Sequence, residues 1–344
     1  MASGAASLQP HTRWLAGRML QSGVVQVSLN AIEERFGRLM LYPRRDWRLS
    51  DLCDAFLHPS DLTRSFLWRC RVAGASYVVP VDPAYPHPPP RNDPWGPATY
   101  WHRPQNRKIR HLYERILRHH PSGTLLDVGA NWGHHTYPFA ASGYRCVCFE
   151  PQSVCRAFIE RVLALNGFHN IAVVSCLVGA ERQEAVPFFE SHVEAFSSTN
   201  EEHVASFKQP YISRTTRADT LDAYCSAQNL SPSFIKVDAE GAELDVITGA
   251  GEIIQQFKPM ILIEVSSDAS SQRALWERMA GAGYRCYWLS PGIGKRRHTA
   301  FVSVSKSTEF VSAGGGTGGA DHEFVTERDF VFVQSGSDIF TASS

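Results

Sequence analysis

The stretch that most constrains this chain is Leu125-Leu-Asp-Val-Gly-Ala-Asn-Trp-Gly133, an apolar run that ends in an acid and two glycines. Leu125, Leu126 and Val128 read as a buried strand. Gly129 and Gly133 permit a tight turn in which backbone N–H groups come close to a ligand. A short helix is expected next, from His134 to Ala141, closed by Gly143. The following apolar run, Arg145-Cys-Val-Cys-Phe-Glu150, also ends in an acid, and an acid at a strand's carboxyl end can accept hydrogen bonds from both hydroxyls of a ribose. Together the two runs describe a nucleoside pocket.

Spacing separates the cofactors that such a pocket could take. A pyrophosphate on the helix N-terminus needs G-x-G-x-x-G, and Asn131 stands where the second glycine belongs. This argues against a dinucleotide and against a nicotinamide oxidoreductase. Asp127, two residues before Gly129, is better placed to meet a cation, such as the amino group of an amino acid lying over the loop. S-adenosylmethionine carries that amino group together with a ribose. Its expected contacts are Asp127, Gly129, Asn131, Gly133 and Glu150. A Rossmann-like strand without ligand would leave the same glycine pattern, so this loop alone does not decide.

Downstream, Ser153 to Leu165 reads as a helix and Ile171 to Val178 as a third strand. Strands alternating with helices imply a parallel sheet with ligands at the strands' carboxyl ends, which places residues 175 to 177, Cys176 among them, beside the adenine. Residues 185 to 218 break the rhythm, with a short strand at Val186 to Phe189 and a polar lid or substrate loop at 197 to 202. Thr220 opens another helix. Ile235 and Val237 then form a strand that ends in Asp238, with Glu240 and Glu243 around Gly241. A helix N-terminus favours any one acid; three beside a cofactor crevice suggest chemistry. A fifth strand, Ile261 to Val265, contains Glu264. A helix over 271 to 281, a strand from Tyr284 to Leu289, a glycine-rich insertion from Ala313 to Ala320 and a last strand from Asp329 to Gln334 complete the pattern. Lys295-Arg-Arg-His298 is read as a solvated loop, and the His134-His135 pair as a solvated helix start or, secondarily, a catalytic pair.

Upstream, a helix from Gln105 to His119 puts Ile109, Leu112, Tyr113, Ile116 and Leu117 on one face. Eight prolines fall between Pro80 and Pro97, so residues 80 to 98 read as an extended connector. Helices are expected at Ser50 to Leu57 and Asp61 to Trp68, and a strand at Tyr77 to Val81. Residues 1 to 120 hold 17 Lys or Arg against 9 Asp or Glu, whereas the remainder holds 17 against 25. The two parts are expected to attract each other, with an anionic partner on the N-terminal face as the alternative. A net charge of zero argues against a general nucleic-acid binder. Eight cysteines without a C-x-x-C pair are read as reduced core thiols, with no metal cluster. No apolar stretch is long enough to span a bilayer. The expected compartment is the cytoplasm, although residues 1 to 30, acid-free and containing Arg13 and Arg18, faintly resemble a transit peptide.

DVGANWG at 127 to 133, FEP at 149 to 151, Asn166, TLD at 220 to 222, IKVDAEGAE at 235 to 243, TGA at 248 to 250 and ILIE at 261 to 264 resemble, in that order, the FkbM-type methyltransferase family. The resemblance covers about residues 124 to 334. It implies a class I methyltransferase fold, an α/β Rossmann-like seven-stranded sheet with one antiparallel strand, spanning residues 99 to 344. Residues 1 to 98 would form a basic N-terminal extension that includes the connector. It further implies S-adenosylmethionine-dependent transfer, usually to a hydroxyl of a sugar or secondary metabolite, so the expected partner is a small-molecule or glycan acceptor. Asp238, Glu240 and Glu264 are the candidate catalytic acids, Asp238 or Glu240 as general base. Asp238 and Glu264 also occupy positions resembling those of metal-dependent catechol methyltransferases, where oxygen ligands suit magnesium. Trp132, where a small aliphatic residue is usual, and the His134-His135 pair depart from the family pattern and put the acceptor in doubt. A silent S-adenosylmethionine-binding module and an N-methyltransferase remain as alternatives.

Overall fold

The computed structural model describes residues 66–81, 100–102, 106–191, 197–265, 268–290, 300–314, 329–335 and 340. Its elements in chain order begin with a hairpin, β1 (Phe66–Val72) and β2 (Ala75–Val81), and a 3-10 turn at Tyr100–His102. Next come α1 (Arg107–His119), β3 (Thr124–Val128), α2 (Thr136–Ala141), β4 (Arg145–Phe149), α3 (Ser153–Asn166), β5 (Ile171–Val174), β6 (Leu177–Val178) and β7 (Gln183–Ser191). α4 (Glu201–Ser206), β8 (Tyr211–Asp219), α5 (Leu221–Gln228), β9 (Phe234–Val237), α6 (Glu243–Thr248), α7 (Gly251–Phe257) and β10 (Met260–Glu264) follow. The chain closes with α8 (Ala269–Gly281), β11 (Tyr284–Ser290), β12 (Ala300–Val304), α9 (Ser307–Gly314) and β13 (Asp329–Gln334).

The main sheet runs β12-β11-β13-β10-β9-β3-β4-β5. β3, β4, β5, β9 and β10 are mutually parallel, and β13 inserts antiparallel between β10 and β11, as the sequence predicts. The difference is an eighth strand. β12 pairs antiparallel with the outer edge of β11, over a segment where the sequence showed no strand signal. Residues Leu177–Val178, expected to continue the third strand, leave the main sheet and join β7 and β8 in a separate three-stranded sheet. Cys176 sits at that departure point.

Period-two alternation buries the parallel strands on both faces. Leu125, Cys146, Cys148, Phe234 and Leu262 face one core layer with α1, α2 and α3. Leu126, Val128, Val147, Ile235, Val237, Ile261 and Ile263 face the other, with α5 to α9. On the first face two positions of this apolar pattern carry charge, Asp127 and Lys236, which are register partners across β3 and β9. A Thr220 hydroxyl caps α5 by accepting from Ala223 N–H, as its sequence position predicts.

Two expectations for the N-terminal part need correction or lie outside the described residues. Phe66 to Trp68, expected to end a helix, form the start of β1, because Trp68, Cys70 and Val72 alternate inward while Leu67, Arg69 and Arg71 point out. The helix at 50 to 57, the connector from 82 on, the basic loop 295 to 298 and the glycine-rich residues 315 to 320 lie outside the described residues. The hairpin belongs to residues 1 to 98, yet it shares a core with the sheet. Tyr77 and Tyr137 rings lie 5.4 Å apart, and Trp101 Nε1 donates to the Tyr77 hydroxyl at 2.7 Å. Asn166 fastens β2 as a strand would: its Oδ1 accepts from Val78 N–H at 2.7 Å and its Nδ2 donates to Val78 carbonyl at 2.8 Å. That supplies the physical role of an asparagine that the sequence singled out without one.

Candidate active site

At the carboxyl ends of β3, β4 and β9 lies a cavity of about 360 Å³, roughly at the lower end of the 300 to 1,000 Å³ typical of ligand sites. Gly129, Asn131, Glu150, Cys176, Asp238 and Glu240 all line it. The glycine loop is shaped by contact as well as by dihedral preference. Gly129 has φ +68°, and a Cβ there would come within 1.9 Å of the Asp238 carbonyl. The loop can therefore lie flush on the end of β9. Gly133, at φ +76°, leaves the room that the Tyr137 ring occupies; it shapes the turn without lining the cavity.

Glu150 ends β4 with only 2% of its surface exposed. Its carboxylate accepts from Asn131 N–H at 2.7 Å and from Gln152 N–H at 2.8 Å. Burial pushes its pKa up to about 7, against the lowering effect of those two amides. The carboxylate is thus already held by the glycine loop, in the place where ribose hydroxyls are expected. Cys176 and Leu177 supply an apolar wall, and burial raises the Cys176 thiol to about 11, so it lines the cavity as a neutral group.

Asp127 has different surroundings from those its spacing suggested. It is fully buried beneath the loop and does not line the cavity. Thr136 Oγ1 donates to it at 2.6 Å, and the Lys236 ammonium lies 3.8 Å away. Lys236 also donates to the Gly129 carbonyl at 3.1 Å and to Asp238 at 3.2 Å. Burial opposes its charge, but Asp238, Asp127 and Glu264 prevail and raise its pKa. This lysine therefore ties the glycine loop to the acid after β9, a role that the motif IKVD did not disclose.

The acids after β9 divide by position. Asp238 lines the cavity with 30% of its side chain exposed. Glu240 lines it from a turn in left-handed backbone, φ +47°. Glu243 turns inward, where its carboxylate accepts from Gly241 N–H at 2.8 Å, so it holds the turn. Glu264, at the end of β10, has its pKa raised, first by the like charge of Asp238, then by burial and by Asp329. Glu264 as a whole residue is exposed, and the crowding of acids around its carboxylate is the main cause of the shift. Among the described residues no group of three or more His, Cys, Asp or Glu converges as a metal site would require. The cation that Asp238 meets is the Lys236 ammonium.

A second cavity, about 110 Å³, lies on the α1 side of the same sheet edge, lined by Tyr100, Lys108, His135, Lys236, Glu264 and Asp329 among others. The histidine pair is not a solvated helix start. His134 is 6% exposed and stacks on Tyr100 at 4.2 Å, while His135 bonds Tyr100 and Tyr113. Trp132 is core: its ring packs edge-on against Phe158 at 4.9 Å. Tyr100 escaped the sequence analysis because it follows the proline-rich connector; the signal available was the aromatic pair Tyr100-Trp101 just before the first amphipathic helix.

The strand order and the β13 insertion define a Rossmann-like α/β fold of the class I methyltransferase type. Residues 127–286 match the methyltransferase FkbM domain. No curated protein matches the chain. Among solved structures, a methyltransferase FkbM from Methylobacillus flagellatus KT is 17% identical, with a TM-score of 0.35, over 57% of this chain and 53% of that one. The match thus spans about half the length of that relative. A SAM-dependent methyltransferase from Agrobacterium tumefaciens is 10% identical over 78% of this chain and 70% of that one, TM-score 0.36. A putative caffeoyl-CoA O-methyltransferase from Staphylococcus aureus is 12% identical over 52% and 77%, TM-score 0.32. Among the described residues no helix is long and apolar enough to cross a membrane.

Proposed function

We propose that the protein is an S-adenosylmethionine-dependent O-methyltransferase acting on a hydroxyl of a sugar or secondary metabolite. The observation that carries this reading is that one cavity brings together Glu150, the open face of the glycine loop and Asp238. Glu150 accepts the ribose hydroxyls once the Asn131 and Gln152 amides give way or share it. Cys176 and Leu177 flank the adenine. Asp127 acts at one remove, by fixing Thr136 and by sharing Lys236 with Asp238.

The cofactor supplies an electrophilic methyl group on a sulfonium. The chain's own residues have to align the acceptor oxygen with that methyl, exclude water and take a proton. A hydroxyl is a poor nucleophile until its proton is leaving, so a base within reach is required. Asp238 fits that requirement, being on the cavity wall and within 3.2 Å of the Lys236 ammonium, which donates to it. The like charge of Asp238 raises the Glu264 pKa, so Glu264 is less readily available as the base. Glu240 borders the acceptor's approach. An amine acceptor loses its proton without such a base, which is why the hydroxyl reading is preferred over N-methylation.

The test is a label transfer. Protein, S-adenosylmethionine labelled in its methyl group and a small-molecule extract of the source cell are incubated, and labelled products are resolved by mass. A labelled methyl ether supports the proposal. A labelled methylamine, or binding of cofactor with no labelled product at all, refutes it.

A further inference from the structure

One wall of the larger cavity is built by chain that the alternation of strands and helices does not account for. β7 and β8 pair through Val186 to Ser191, and residue 198 adds to the other edge of β7. Phe189 N–H donates to the Ser198 carbonyl at 2.9 Å, and Ser198 N–H donates to the Phe189 carbonyl at 3.2 Å. Residues paired across antiparallel backbone share a face, so Ser198 goes with Phe189. Ser197 and Thr199 then fall on the opposite face, that of Val186 and Phe188, and all four of these residues line the cavity.

This segment is held in place by the protein itself. Ser197 is 6% exposed, and its hydroxyl oxygen accepts from Ser191 N–H at 2.9 Å. At the other end Asn200 caps α4, its side chain accepting from His203 N–H at 3.1 Å. Among the described residues no acceptor takes the hydrogen of the Ser197 hydroxyl, and the Thr199 side chain makes no hydrogen bond. A buried donor without an acceptor is costly, and a ligand oxygen in the cavity satisfies it.

The charge on the cavity is one-sided. Among the described residues that line it, the charged side chains are Glu150, Glu181, Asp238, Glu240 and Asp245, and none is Lys, Arg or His. Nearby basic side chains are engaged elsewhere. Arg156 donates to the carbonyls of Glu150 and Pro151, Arg182 pairs with Asp219 at 3.2 Å, and Arg214 pairs with Glu190 at 2.6 Å. Burial raises the Cys176 thiol, and Arg217, exposed on β8, opposes that rise without lining the cavity. With Glu150 taken up by the ribose and Asp238 beside Lys236, Glu181 and Asp245 face the single positive charge of the sulfonium. A cleft lined by one sign of charge rejects a ligand of the same sign.

Resting on the methyltransferase reading above, we propose that the acceptor is a polyhydroxylated molecule bearing no phosphate, sulfate or carboxylate, and that Ser197 and Thr199 bind its oxygens beside Phe188. To test this, the source-cell extract is separated at neutral pH on a strong anion exchanger. The unretained and retained fractions are each incubated with protein and methyl-labelled S-adenosylmethionine. The unretained fraction should give at least about ten times more labelled methyl ether than the retained one. Ser197→Ala and Thr199→Val should each raise the apparent KM for the unretained fraction at least about threefold, with affinity for S-adenosylhomocysteine within about twofold of the parent. Thr199 is exposed, so its variant keeps the test open if Ser197→Ala does not fold. Equal or greater labelling from the retained fraction overturns the proposal, and so does an unchanged KM in Thr199→Val. If the unmodified protein labels neither fraction, or does not bind S-adenosylhomocysteine, the methyltransferase reading itself fails and takes the proposal with it.

Discussion

The Lys236 ammonium lies 3.8 Å from the carboxylate of Asp127, its register partner on β3, between apolar neighbours along both strands. Removing one member of a buried pair leaves an uncompensated charge, which costs about 3 to 5 kcal/mol. Lys236→Met should therefore lose about that much stability in urea unfolding, whereas Lys236→Met combined with Asp127→Leu should recover most of it. A single mutant as stable as the parent would show that the pair does not hold the loop.

The pH dependence should identify Glu150. Its pKa is about 7 in the folded protein against an ordinary 4.5, so the folded state binds that proton more tightly than the unfolded chain does. Raising pH through the interval from 4.5 to about 7 then costs stability, and the loss is complete above about 7. Unfolding free energies measured across this interval should fall with pH, and the slope should diminish in Glu150→Gln. The same group predicts that cofactor affinity weakens as pH drops below about 7, because the protonated acid accepts hydrogen bonds poorly.

The folded unit should begin before residue 99. Tyr77 is 2% exposed and Val79 and Val81 are fully buried against the sheet's helices. Protein beginning at residue 99 should lose several kcal/mol relative to protein beginning at Phe66, given about 3 to 5 kcal/mol for deleting even one large aromatic side chain from a core. Thermal unfolding of the two truncations distinguishes this boundary from one at the proline-rich connector. Equal melting temperatures would restore the connector as the boundary.

The chemistry is assigned to Asp238. Asp238→Asn should keep cofactor affinity and lower turnover by about two to four orders of magnitude. Glu264→Gln should affect turnover less, because Glu264 does not line the larger cavity. Chelator should leave the activity unchanged if Lys236 is the cation that serves Asp238; loss of activity on chelation with recovery on added magnesium would favour the metal alternative.

The central strands β3, β4, β9 and β10 were legible in the sequence because each is an apolar run buried on both faces that meets a glycine or an acid at its end. β13 was read with both ends correct, since its alternation is bounded by Asp329 and Gln334. β12 was missed because Ala300 to Val304 is an edge strand with a weak pattern, and the first hairpin strand was misread because Trp68 also fits a helical spacing. At the site, Glu150, Asn131, Gly129, Cys176, Asp238 and Glu240 converge on one cavity as their positions after the strands suggested. The rest needed three dimensions. Lys236 is one residue among β9 apolar neighbours, and nothing local shows that it reaches both Asp127 and the Gly129 carbonyl. Tyr100, His135 and Tyr113 come from a turn, a loop and a helix, and only packing of α1 on the sheet joins them.

The central claim is that the larger cavity binds S-adenosylmethionine through Glu150. Calorimetric titration of S-adenosylhomocysteine into the unmodified protein and into Glu150→Ala tests it most directly. The account predicts one site in the unmodified protein and an affinity about ten- to a hundredfold weaker in Glu150→Ala, the roughly 1.5 to 3 kcal/mol of a hydrogen bond to a charged group. Equal affinities in the two proteins, or no binding in either, would contradict it.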